Sequence, residues 1–163
     1  MLALVLLAAV APPLYRAVVA AQVRRLFGQL NRGNWHAVND RLAGEFSYRF
    51  HGDTALGGVK RRRATMETWW RRVFAILPNA RFEATDVLVA GPPWATRVAV
   101  DATISGDLAD GTPYTNVFRQ KIVLRLGRVV SIETVEDTQR LERALRALGA
   151  AGVPEALAAP LND

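Results

Sequence analysis

The stretch from Trp94 to Leu126 constrains the fold most. Two strand-like runs, Ala95–Ser105 and Pro113–Leu126, flank Asp107-Leu-Ala-Asp110-Gly111. An Asp-Gly pair between such runs is a strong hairpin signal, because the tight turn needs left-handed backbone that these two residues tolerate. In the first run Val98, Val100, Ala102 and Ile104 alternate with Arg97, Ala99, Asp101 and Thr103. A period of two sends the first set to one face of a sheet and the second to the other. The apolar face has to be buried, which calls for helices packed against one side of the sheet.

The rest of the chain supplies those helices. Val19, Val23, Leu26, Phe27 and Leu30 recur at helical spacing and predict a helix over Leu14–Leu30, stopped by Gly33. Asn34 is placed to cap a short helix, Trp35–Ala43. Phe46, Tyr48 and Phe50 then alternate with Ser47, Arg49 and His51, a short aromatic strand that turns at Gly52-Asp53. Val59–Leu77 reads as a strongly amphipathic helix with Met66, Trp69, Trp70, Val73, Phe74 and Leu77 on one stripe, ended by Pro78. Strands are expected at Arg81–Ala90 and Val129–Glu136, and Asp137 caps a closing helix, Thr138–Leu148. Helices followed by consecutive antiparallel strands make an α+β domain: a bent sheet curled around the long helix, leaving an apolar cone.

The 163 residues suffice for one cored domain, 14–151, with an apolar N-terminal extension over 1–13 and a surface tail over 152–163. The absence of cysteine excludes disulfides and thiolate metal sites. With only His36 and His51 and no ligand-spaced carboxylates, neither a metal nor another cofactor is expected. A net charge of +6 raises nucleic acid or acidic membrane as partners, but the basic residues scatter over Arg24-Arg25, Lys60–Arg63, Arg71-Arg72 and Arg140–Arg146. Scattered charge reads as solvated helix faces, so no nucleic-acid partner is expected. Met1–Ala11 is apolar throughout but far shorter than the roughly 20 residues of a spanning helix and has no basic residue before it. A cytoplasmic protein is the expectation, with export or anchoring through residues 1–21 as the alternative.

The order and spacing of Leu30-Asn-Arg-Gly33, Phe50-His-Gly-Asp-Thr-Ala-Leu-Gly-Gly58, Asp110-Gly-Thr-Pro-Tyr-Thr-Asn116 and Gly127-Arg-Val-Val before Asp137 resemble the nuclear transport factor 2-like superfamily, and within it the SnoaL-like, polyketide cyclase-like group. The resemblance covers about Ala17 to Ala147 and implies the cone-shaped fold. It also implies either a small pocket enzyme, such as an isomerase, cyclase or dehydratase acting on an apolar cyclic or polyketide-like compound, or a non-catalytic ligand-binding or dimerisation module. Tyr48 and Arg97 match the tyrosine and arginine of the epoxide hydrolases of this superfamily. The aspartate of their Arg-x-Asp falls on Ala99, and the last-strand aspartate that cyclases use falls on Thr134. Homodimers through the sheet are common in the superfamily, and Ala99 and Thr103 suit such a face.

Candidate catalytic residues are therefore Tyr48 as an oxyanion donor, Arg97 with Asp101 as a displaced base, and His51 as the group titrating nearest neutrality. Each has a structural reading beside it: a core tyrosine, a cross-strand ion pair on the convex face, and a strand-end histidine. Asn116, Phe118, Gln120 and Thr134 are candidate ligand contacts on the hairpin and last strand, with Trp69 and Trp70 as the apolar wall.

Overall fold

The computed structural model describes residues 12–163; Met1–Ala11, most of the segment read as an N-terminal extension, lies outside the described residues. The elements run α1 (Pro12–Leu30), α2 (His36–Asn39), β1 (Leu42–Phe50), β2 (Gly58–Lys60), α3 (Arg63–Ile76), β3 (Arg81–Ala90), β4 (Thr96–Asp107), β5 (Pro113–Arg125), β6 (Arg128–Glu136), α4 (Thr138–Ala150) and a 3-10 turn, Pro154–Leu157. Pro12 and Pro13 fall in the first turn of α1, where the missing N–H costs nothing.

The strands form one six-stranded sheet in the order β2-β1-β6-β5-β4-β3. The central hairpin pairs in register from Thr96 opposite Leu124 to Asp107 opposite Pro113. Its turn closes on Asp110, whose carboxylate accepts from Thr112 N, with Gly111 at φ 84°. β6 pairs antiparallel with β5 and parallel with β1, so the aromatic strand joins the sheet beside the last one.

The apolar faces of these strands line the concave side. Val98, Val100 and Ala102 are buried there, and so are Phe46, Tyr48 and Phe50. α3 lies across this side through Met66, Trp69, Trp70 and Val73, the stripe expected from the sequence. The Trp69 ring lies tilted at 4.9 Å from the Tyr48 ring and 5.9 Å from Phe50, and Trp70 meets Phe82 edge-on at 6.5 Å. Rings packed this way add about 0.5–1.5 kcal/mol per pair to the burial itself. The convex face keeps Arg97, Ala99 and Asp101 exposed, along with Leu88, Val117 and Val135.

Three local expectations change. α2 is a single turn, because Leu42 already belongs to β1, and Asn34 hydrogen-bonds Gln29 instead of capping it. The long helix starts at Arg63, not Val59, because Gly58–Lys60 forms an edge strand on β1. The segment after Gly152 is docked and not a free surface tail. Leu161 N and Asp163 N donate to Gly57 O and Val59 O, while the Asp163 carboxylate accepts from Arg61 N and Thr65 Oγ1 at the start of α3. That carboxylate lies at the positive end of a helix whose own N-cap, Arg62, supplies no side-chain bond. Gly58 has φ 99° and a Cβ there would lie 2.3 Å from Leu161 O, so glycine is needed on both counts.

Lys60, grouped by sequence with solvated basic residues, has no exposed surface. Its Nζ donates to the carbonyls of Leu56 (3.0 Å), Gly57 (2.7 Å) and Gly58 (3.3 Å) and faces the rings of Trp69, Tyr48 and Phe50 at 5.4–5.9 Å. Burial, reinforced by the Arg72 charge, pulls its pKa down to about 7, while three acceptors and three ring faces favour the cation. The cation is the form that can fill all three bonds. Lys60→Met should therefore destabilise the fold by about 1–3 kcal/mol, the cost of stranding buried carbonyls. Urea denaturation checks this; an unchanged or higher midpoint would show that desolving the lysine outweighs its bonds.

Candidate active site

The concave face does not close completely on α3. A cavity of about 320 Å³ remains between α1, α3 and the sheet, lined by apolar side chains such as Val23, Phe27, Trp69, Phe118 and Ile132. Its exposed lining residues are Gln22 and Arg25 of α1, Arg41 ahead of β1, and Gly127 in the β5–β6 turn. These mark the mouth.

The polar groups sit deep and come from three neighbouring strands. Strand alternation turns Ile132, Thr134 and Glu136 of β6 inward, opposite Ile122, Gln120 and Phe118 of β5. Tyr48 arrives from β1 at the level of Ile132. Gln120 Nε2 donates to Thr134 Oγ1 (3.1 Å), which donates to Tyr48 OH (3.3 Å). Tyr48 is the last acceptor in this chain, so its own proton remains available to a ligand oxygen. Burial, with a smaller contribution from the negative charge of Glu136, holds the Tyr48 hydroxyl well above its ordinary pKa; the Thr134 bond opposes the shift. It is a neutral donor.

Among the described residues Glu136 is the one carboxylate lining the cavity. As a residue it is partly exposed, but Oε1 is buried and has no hydrogen-bond partner among the described residues. Burial first, and the neighbouring Asp137 charge second, push its pKa up to about 8. Asn39 Nδ2 and Thr54 Oγ1 are also unpartnered, but both are neutral and neither lines the cavity. A lone carboxyl group poised near neutrality inside an apolar pocket is equipped for proton transfer.

The expected site residues divide accordingly. Tyr48, Trp69, Trp70, Phe118, Gln120 and Thr134 meet at the cavity. Arg97 and Asp101 do not: both lie exposed on the convex face, where Asp101 is tied to Arg119 Nε at 2.8 Å. The alternation that buries Val98 and Val100 forces them outward. His51 is also outside the cavity lining, its Nε2 2.7 Å from Glu133 Oε1, and that bond chiefly lowers the Glu133 pKa. Asn116 is buried but spent: Nδ2 donates to Tyr114 OH and Asp137 O, and Oδ1 accepts from Val117 N. Glu136 was the residue sequence reasoning missed, although its place two positions beyond Thr134 on the same strand face was the available signal. Among the described residues no cluster of three His, Asp or Glu forms a metal cradle.

A family model described as a SnoaL-like domain matches residues 23–137. No curated protein matches the chain. Among solved structures, an NTF2-like protein of unknown function from Burkholderia pseudomallei is 21% identical over 75% of this chain and 92% of its own, with a TM-score of 0.66. PrhC from Penicillium brasilianum is 17% identical over 87% of this chain and 95% of its own, with a TM-score of 0.74. TerC co-crystallised with polyporic acid is 18% identical over 78% and 94%, with a TM-score of 0.62. At these identities the likeness is one of fold.

Protonation of Glu136 ties stability to pH. Its pKa rises on folding from about 4.5 to about 8, so in that window the folded state holds a proton the unfolded state has released. Its contribution is complete below about 4.5 and is lost as pH climbs through about 8, at up to about 1.4 kcal/mol per pH unit. Denaturant titrations between these limits should show stability falling for the wild type and a flatter profile for Glu136→Gln. Two profiles of equal slope would mean that the Glu136 carboxyl group is an ordinary one.

Proposed function

The chain belongs to the SnoaL-like domain family, and from that premise we propose that it is a pocket enzyme moving a proton on a small, largely apolar carbonyl compound. The class of reaction is isomerisation, cyclisation or dehydration. The observation that carries this reading is the carboxyl group of Glu136, whose buried Oε1 has no partner among the described residues, lining the same apolar cavity as the neutral Tyr48 hydroxyl.

The substrate's carbonyl oxygen accepts from Tyr48 OH. The ionised fraction of Glu136, about one in ten at pH 7 for a pKa near 8, removes a proton from the carbon next to the carbonyl. The electron pair moves onto oxygen as an enolate, which Tyr48 stabilises through a bond that strengthens as charge develops. Glu136, now protonated, returns the proton at another carbon in an isomerisation. In a cyclisation the enolate carbon attacks a second carbonyl, and the proton goes to the new alkoxide. Thr134 and Gln120 hold Tyr48 in place, and the aromatic wall of Trp69, Trp70 and Phe118 excludes water. The cavity suits a ligand of modest size, and TerC, a protein of the same fold, was crystallised with the small molecule polyporic acid.

Thr134, standing where cyclases hold an aspartate, favours the second reading, a binding module without catalysis. Deuterium uptake at the carbon beside the carbonyl of small cyclic ketones, followed by NMR in D2O, separates the two. We expect the wild type to accelerate uptake, Glu136→Gln to lose about 10²–10⁴-fold and Tyr48→Phe about 10²–10³-fold. Ketones that quench tryptophan fluorescence yet exchange no faster than in buffer would leave binding as the function.

A further inference from the structure

From the surface around the cavity mouth we infer a second property, peripheral docking on an anionic phospholipid bilayer with the mouth turned toward the lipid. Large apolar side chains stand exposed at that end of the molecule: Trp94 at 60%, Leu14 at 52% and Leu126 at 41%. They are held together. Tyr15, next to Leu14, hydrogen-bonds Thr96 Oγ1 at 2.5 Å, and Leu126 N donates to Pro93 O at 2.7 Å, beside Trp94. Pro93 itself is fully buried, so Trp94 projects from a rigid corner.

Leu126 adds an independent sign. It has φ 49°, the one described non-glycine residue with positive φ. A leucine in left-handed backbone costs roughly 1–2 kcal/mol, and turns of this kind ordinarily carry Asn, Asp or Gly. The strain brings no burial in return, because the side chain is left in solvent. It keeps an apolar group at the tip of the turn whose next residue, Gly127, lines the cavity mouth.

The charge around this end matches an anionic surface. Arg16, Arg97, Arg125 and Arg128 are exposed and lie within three positions of Leu14, Trp94 or Leu126 in the chain, Arg97 at the convex-face start of β4, and Arg25 and Arg41 stand at the mouth. Asp40, whose carbonyl accepts from Arg128, is an acidic residue on the same rim. The chain outside the described residues points the same way: Met1–Ala11 consists wholly of Met, Leu, Ala and Val and joins α1 two residues before Leu14. Among the described residues no helix is long and apolar enough to cross a membrane, so the contact is interfacial. Tryptophan and leucine tips within a ring of arginines insert at the headgroup boundary, where each basic residue near the surface adds about 1 kcal/mol. An apolar compound dissolved in the bilayer then has a path to the cavity that avoids water. The docking stands on the surface alone and does not depend on the chemistry assigned to Glu136.

The test is co-sedimentation of the full chain with phosphatidylcholine vesicles, with and without phosphatidylglycerol, together with quenching by brominated lipid. We expect binding only with the anionic lipid, weakening as salt is raised. We expect quenching that vanishes in Trp94→Ala, since the other tryptophans are buried or half-buried. The double variant Trp94→Ala, Leu126→Asn should lower the partition coefficient by about tenfold or more, whereas Leu157→Asn, at an exposed leucine beside Gly149, should leave it unchanged. Absence of wild-type binding overturns the inference. So does equal binding by the double variant, which would assign attachment to Met1–Ala11 alone. Self-association abolished by the double variant without vesicle binding would assign the patch to a second copy of the chain, and would overturn it equally.

Discussion

The burial of the sheet's concave face against the tryptophan stripe of α3 is the interaction on which the other features depend. Trp69 and Trp70 are both buried and reach the inner rings of β1 and β3. Their indole nitrogens donate to Leu56 O and to Asn39 Oδ1, anchoring the loop before β2 and the short helix α2. Two flat, rigid side chains set the spacing between helix and sheet. The curled sheet is wider than one helix, so α1 must cover the remainder, and what it leaves unfilled is the cavity. The pocket is thus a consequence of how a bent sheet is closed.

The polar groups within this core fall into two kinds. Lys60 and Asn116 are buried with their donors used, and the structure around them is organised to use them. Removing either leaves acceptors stranded, which makes them structural. Glu136 is the opposite case, a carboxyl group desolvated without a compensating donor. Such a group is costly to ionise and contributes nothing to packing that a Met or Leu would not. Its placement where β6 ends, between the main cavity and the space under α4, is understandable if a ligand supplies the missing partner.

Much of this architecture was legible in the sequence because its signals are periodic. Alternation in the hairpin, the stripe of α3 and the capping Asp137, which accepts from Arg140 N, each report a local rule that the tertiary structure obeys. The same alternation puts Arg97 and Asp101 on the face opposite Val98 and Val100, where the cross-strand reading had them, although the partner of Asp101 is Arg119 and not Arg97. Lys60 was illegible because composition cannot distinguish a solvated lysine from one whose ammonium is enclosed by carbonyls and rings. Docking of Leu161 and Asp163 against β2 is non-local, joining residues about a hundred positions apart, and no pattern within the tail announces it.

In the proposed function Glu136 is the titrating group of the cavity. Carbon-13 NMR of the side-chain carboxyl groups, with the Glu136 resonance assigned by its loss in Glu136→Gln, reads that titration directly. A midpoint near pH 8, moving when an apolar ketone fills the cavity, is the result the account requires. A midpoint near 4.5, unaffected by ligand, would place the carboxylate in solvent and contradict it.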